Sequence, residues 1–207
     1  MKKSTILALS GAVALAAGCA AMQTSEKEYA EQALAMMKTS FKERGQAKLT
    51  RLDQDDMQEA CSRLEGKPPP KELAEKLEKA QQALIKFPAD GKFLGDWKSG
   101  ERIAQSGQGM QYSDDPARPN GANCYACHQL TKAELSFGTI GPSLYNFGKL
   151  RGFTPEMQKY AYSKVYNSQA FSACSSMPRF GHQQILTEAQ IKDLVALLMD
   201  PKSPVNQ

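Results

Sequence analysis

Apolar residues recur at three- and four-residue steps through most of this chain, and no stretch sustains a period of two, so the pattern predicts helices and no sheet. Between Ser25 and Arg44 the stripe is Ala30, Ala33, Leu34, Met37 and Phe41, with Gly45 placed to stop the helix. The Met36-Met37 pair is expected to fill core space, because Met37 falls on that stripe. Met57, Ala60, Cys61 and Leu64 form a second stripe, closed off by Gly66 and the prolines 68–70. After the prolines, Leu73, Leu77, Ala80, Leu84 and Phe87 share one face of a third helix. Lysine–glutamate pairs such as Glu72 with Lys76 lie opposite.

From Gly91 onward glycine and aromatic residues become more frequent. Trp97, Ile103 and Ala104 mark a helix over 96–107, followed by a polar loop over 112–120 and, later, a turn-rich loop over 138–144. Thr154 followed by Pro155 is a helix start, an N-cap with proline at the first helical position, and predicts a helix to Tyr166. The last helix is the best marked. Thr187 and Gln190 make a capping box, Ile191, Leu194, Val195 and Leu198 an apolar face, and Pro201 a stop. The expectation is an all-α chain in three parts: a leader over 1–21, a helical extension over 22–90 and a domain over 91–207.

The leader reading rests on Lys2 and Lys3 ahead of an apolar run of about a dozen residues, Ile6 to Ala17, too short to span a bilayer. That is an export signal, and it places the mature protein in the periplasm. The leader ends Leu15-Ala16-Ala17-Gly18-Cys19, which is similar to a lipoprotein box with Leu15 one position early. Cys19 is therefore a candidate for lipidation, with ordinary cleavage among the small residues 16–21 as the alternative. A membrane contact is expected only through that anchor. Removing the two lysines takes the formal charge from +4 to +2, and no basic cluster stands out, so nucleic-acid binding is not expected.

The chemistry lies in Asn123-Cys124-Tyr125-Ala126-Cys127-His128. Two thiols three positions apart are about one helical turn from each other, close enough to add to the two vinyl groups of a single heme, with His128 next in line for the iron. A zinc site needs a second pair of ligands, and the other histidine, His182, has no cysteine beside it. A redox dithiol would sit in a βαβ pattern, which this chain lacks. One covalently attached heme c is the expected cofactor.

Around this site the chain resembles class I cytochrome c over 91–200. The likeness is carried by a helix before the cysteines, the loop Ile140-Gly141-Pro142-Ser143-Leu144, a later methionine loop and a closing helix. The resemblance implies that the backbone carbonyl of Pro142 accepts the proximal imidazole N–H. More narrowly, Ser176-Met177-Pro178-Arg179-Phe180-Gly181 and the Gly-Pro-Ser-Leu loop resemble the SoxX family of monoheme cytochromes. That implies a heterodimer with a SoxA-like heme protein. There the partner's heme and cysteine couple thiosulfate oxidatively to a carrier-protein cysteine, while this chain takes up electrons for a downstream acceptor. An electron shuttle with no catalytic partner is the alternative. The resemblance is poor before Gly91.

With His128 on one side of the iron, the candidates for the other are Met110, Met157, Met177, Met199 and His182. Met157 and Met199 fall within predicted helices, where packing explains them. Met177 stands in a loop, 49 residues beyond His128 and followed by a proline, and is the expected ligand. Arg179 is expected on the surface, with a heme propionate or a partner as its alternative role. Five cysteines are present. With Cys124 and Cys127 given to heme and Cys19 to the leader, Cys61 and Cys174 are left to form a disulfide. Two separate thiols, or a reactive Cys174, are the alternatives.

Overall fold

A computed structural model describes residues 25–207, so the leader and Cys19 lie outside the described residues. The chain divides at Lys42/Glu43 into two compact units.

The first unit contributes α1, Glu26–Ser40, which begins at a capping box: Glu28 donates its N–H to Ser25 Oγ, and Ser25 donates its own to the Glu28 carboxylate at 2.7 Å. The helix stops four residues short of Arg44 because Phe41 turns extended, at φ −69° and ψ 144°. None of its residues is buried. The expectation that Met36 and Met37 fill a core is therefore corrected, since Met36 is 67% exposed and Tyr29, Leu34, Met37 and Phe41 are also exposed. An amphipathic stripe says that a face wants cover, and does not say that the chain itself supplies it.

The second unit, residues 43–207, contains the remaining helices, so α2 and α3 of the extension belong to the same compact unit as the heme half. α2, Asp56–Arg63, starts at an Asp55/Gln58 capping box, and α3, Lys71–Ala83, starts directly after the prolines. α4 spans Trp97–Gln105, with the Asp96 carboxylate accepting the N–H groups of Lys98 and Ser99. It packs along α7, Glu188–Met199. Gly100 makes that approach possible, since a Cβ there would lie 2.1 Å from the Asp193 carbonyl oxygen. The contact is closed at its end by Gly95, whose N–H donates to the Lys192 carbonyl.

Against this pair lie α5, Phe147–Arg151, and α6, Pro155–Tyr166. The core is built from Ala104, Tyr162, Ile191, Leu194, Val195 and Leu197, with Phe147 and Val205 closing it. Each fully buried large side chain of this kind contributes roughly 1.5–3 kcal/mol. Asn146, at φ 58°, offers no side-chain cap to α5. Its first amide groups donate instead to Asn206 Oδ1 at 3.0 and 3.2 Å, from the far end of the chain. Among the described residues there is no strand, only an isolated bridge between Arg44 and Ala47. The fold is all-α. No described helix is long and apolar enough to cross a membrane.

Candidate functional site

The attachment motif is a single turn of 3-10 helix, Cys124–Ala126, entered through Asn123 in the left-handed region at φ 46°. Asparagine tolerates that conformation better than most residues. The turn is tied by Cys127 N–H to the Cys124 carbonyl at 3.1 Å and by His128 N–H to the same oxygen at 2.9 Å. Cys124 and Cys127 are not joined to each other. Cys124 packs against the hydrophobic core, and burial pushes its thiol up to about 12, so it is an uncharged sulfur at neutral pH. Tyr125, between them, points into the core.

The loop 138–144 crosses back over this turn. Gly138 donates to the Tyr125 carbonyl at 2.9 Å, Gly141 to that of Cys127 at 2.8 Å, and Leu144 to that of Gln129 at 2.8 Å. The crossing is tight: a Cβ on Gly138 would lie 1.8 Å from the Ala126 oxygen, and one on Gly141 would lie 2.1 Å from His128 Cε1. His128 Nδ1 is 2.7 Å from the Pro142 carbonyl oxygen. A carbonyl can only accept, so Nδ1 carries the proton and the neutral ring presents the Nε2 lone pair. The residues present fit a covalently held heme: two unpaired thiols, and an imidazole fixed in its ligating tautomer.

Met177 is half-buried against the core. Its carbonyl accepts from Ser168 Oγ at 2.5 Å and its N–H donates to Ser175 Oγ at 3.3 Å. Three residues earlier, Cys174 has φ 61° and is bonded to Cys61. Met157 also packs on the core and Met199 is buried in α7, whereas Met110, at φ 67°, turns a loop whose carbonyl accepts from Arg51. His182 Nε2 lies 3.9 Å from the Asp55 carboxylate. Burial and the neighbouring Arg179 charge hold His182 below the usual histidine range, with Asp55 opposing them.

Arg179 is not the surface residue expected. It is 3% exposed, with Nη1 at 2.7 Å from Asp55 Oδ2 and 3.2 Å from Gln81 Oε1. Burial raises the Asp55 carboxyl, but the Gln58 N–H and Arg179 outweigh it, and the group is held below its ordinary range. Gln81 Oε1 also accepts from the buried Asn167 at 2.9 Å. Sequence reasoning missed Asp55, Gln81, Asn167 and Gly141. Asp55 and Gln58 spell a capping box, but nothing in it points to Arg179; Gln81 and Asn167 carry no motif, and the proximity of Gly141 to the imidazole exists only once the loop is folded.

A family model described as cytochrome c matches residues 120–201. Over 213 residues, spanning the whole of both chains, the protein is 35% identical to one named "Uncharacterized lipoprotein" from Aquifex aeolicus (strain VF5). Residues 120–201 accordingly form a cytochrome c domain, which makes the chain a c-type cytochrome, an electron carrier with covalently attached heme c.

Proposed function

We propose that this protein is an exported monoheme cytochrome in which Cys124 and Cys127 form the thioether bonds and His128 and Met177 fill the axial positions of the iron. It serves as the electron-accepting subunit of a SoxAX-like complex. The carrying observation is the 2.7 Å contact between His128 Nδ1 and the Pro142 carbonyl, which leaves Nε2 as the donor atom. Bound heme supplies a one-electron iron couple. The chain's residues tune it: the Nδ1–H bond makes the imidazole more basic, and a thioether on the other side favours reduced iron, which suits an acceptor. The placement of Met177 in a loop against the core supports it over Met157 and Met199. The ring of His182 is engaged beside Asp55.

Coupling thiosulfate to a carrier-protein cysteine is assigned to the partner subunit, a SoxA-like heme protein. The support is the Ser-Met-Pro-Arg-Phe-Gly segment over 176–181 and the Gly-Pro-Ser-Leu loop over 141–144. Lipidation at Cys19 is supported by the box preceding it and by the lipoprotein name of the Aquifex relative.

The near-infrared charge-transfer band of the oxidised protein, which reports methionine-to-iron bonding, tests the ligand set. Wild type has it and Met177→Ala loses it, while a His182 variant keeps it; a Met177→Ala protein that retains the band, or a wild type that lacks it, refutes the assignment. Purification of the native protein tests the complex, with a stably bound heme partner expected and a carrier recovered alone counting against it.

A further inference from the structure

The segment from Asn167 to Leu186 contains a single three-residue 3-10 turn, Ser168–Ala170, and no longer helix. It nevertheless has to hold Met177. Within the segment, Gln169 Nε2 donates to the Ser175 carbonyl at 3.2 Å, and outside it the Tyr166 carbonyl accepts from the amides of Gly181 and His182. A further set of ties comes from α2 and α3, and these lie on both sides of the methionine.

Ahead of Met177, Gln82 Nε2 donates to the Ala170 carbonyl at 2.8 Å. The Glu78 carboxylate accepts the Ala173 N–H at 2.8 Å. Cys61 is bonded to Cys174. Behind it, Asp55 at the start of α2 holds the buried Arg179, and Gln81 bridges Arg179 to Asn167. The backbone at Cys174 is itself in the left-handed region, a conformation that persists in a non-glycine residue only where its surroundings impose it.

We propose that α2 and α3 form a clamp that holds the methionine loop in its ligating position, with Cys61, Glu78 and Asp55 as positioning residues. This rests on Met177 being the axial ligand. The extension is then part of the redox unit. It sets how often the thioether leaves the iron, because an external ligand can bind only in the fraction of time that position is open.

The probe is imidazole, titrated into the oxidised holoprotein and followed by the Soret spectrum, together with the near-infrared band. Cys61→Ser/Cys174→Ser, Glu78→Ala and Asp55→Asn are compared with Asn206→Ala, which removes the cap of α5 and touches none of the clamp ties. Clamp variants are expected to bind imidazole at least tenfold more tightly than wild type, and to lose the band at lower denaturant than they lose helix. Asn206→Ala should lower overall stability and leave imidazole affinity unchanged. If the double serine variant does not fold, Glu78→Ala and Asp55→Asn carry the test alone. A wild type that has the band, with clamp variants that bind imidazole as weakly as it does, overturns the clamp alone. A wild type without the band overturns the ligand assignment and the clamp with it. Equal tightening in Asn206→Ala shows general destabilisation and also overturns the clamp.

Discussion

Replacing Gly141 by alanine tests how closely the loop over the attachment turn fixes His128. The backbone at Gly141 lies outside the left-handed region, so the cost of a side chain there is contact and not φ. The new methyl group would stand 2.1, 2.4 and 2.6 Å from Cε1, Nδ1 and Nε2 of the imidazole. The shortest of these is about 1.3 Å inside ordinary carbon contact. The ring cannot swing freely, because Nδ1 is held by the Pro142 carbonyl at 2.7 Å. The loop cannot lift without breaking the Gly141 to Cys127 bond at 2.8 Å. Overpacking of this kind costs about 1–3 kcal/mol and a lost hydrogen bond about 0.5–1.5, so Gly141→Ala should destabilise the holoprotein by about 2–4 kcal/mol. In urea that lowers the unfolding midpoint by roughly 1–2 M, for an m-value near 2 kcal/mol/M. Helix content against urea is the assay, with the heme spectrum read in parallel for a displaced proximal ring. A stability within about 0.5 kcal/mol of wild type, with an unchanged spectrum, would refute the packing argument.

Pro142→Ala should behave quite differently, because the acceptor of the His128 N–H is a backbone carbonyl. The heme spectrum stays as in wild type and stability falls by about 0.4–1 kcal/mol, and a lost proximal signature would show that the proline ring itself is needed. Cys61→Ser/Cys174→Ser removes a link spanning 113 residues, for which chain entropy gives a loss of about 4–5 kcal/mol as an upper figure. A loss under about 1 kcal/mol, or full alkylation of both thiols in the unreduced protein, contradicts the pairing. The depressed Asp55 carboxyl contributes stability that is present above the unfolded carboxylate pKa and lost as pH falls through the folded one. The stability difference between wild type and Asp55→Asn should therefore be present at pH 7, gain a small increment as His182 protonates beside the carboxylate, and shrink below about 4. Asparagine can still cap α2, so a difference that persists into acid would mean the charge is irrelevant.

The helices that announced themselves in the sequence are those whose start signals are local. Thr154-Pro155 and the Thr187/Gln190 box stand within three residues of the amides they satisfy, and α6 and α7 begin there. The missed helix, α5, has its amides capped by Asn206, which no local window contains. The same distance hid the site's supports. Arg179 looked like a surface residue because its partners, Asp55 and Gln81, lie in the extension. In α1 the periodicity was legible but its meaning was not, since a stripe at 3.6-residue spacing is identical whether or not it is covered. The attachment turn was readable because covalent chemistry fixes spacing along the chain. The close pass of Gly141 over His128 was not, because that spacing is in space.

The bond between Cys61 and Cys174 encloses the attachment cysteines within its loop, which bears on how the molecule is made. In an oxidising compartment these four thiols are available together. All three ways of pairing four cysteines consume both Cys124 and Cys127. Only a chain in which Cys124 and Cys127 are both still thiols, fully reduced or carrying the Cys61–Cys174 bond alone, can accept its cofactor. Biogenesis is thus a race between oxidant and heme for the same two sulfurs. Either attachment precedes the second oxidation, or a reductant must reopen what has closed. Once the thioethers exist, the remaining pair has a single partner choice, and the order of assembly enforces the connectivity.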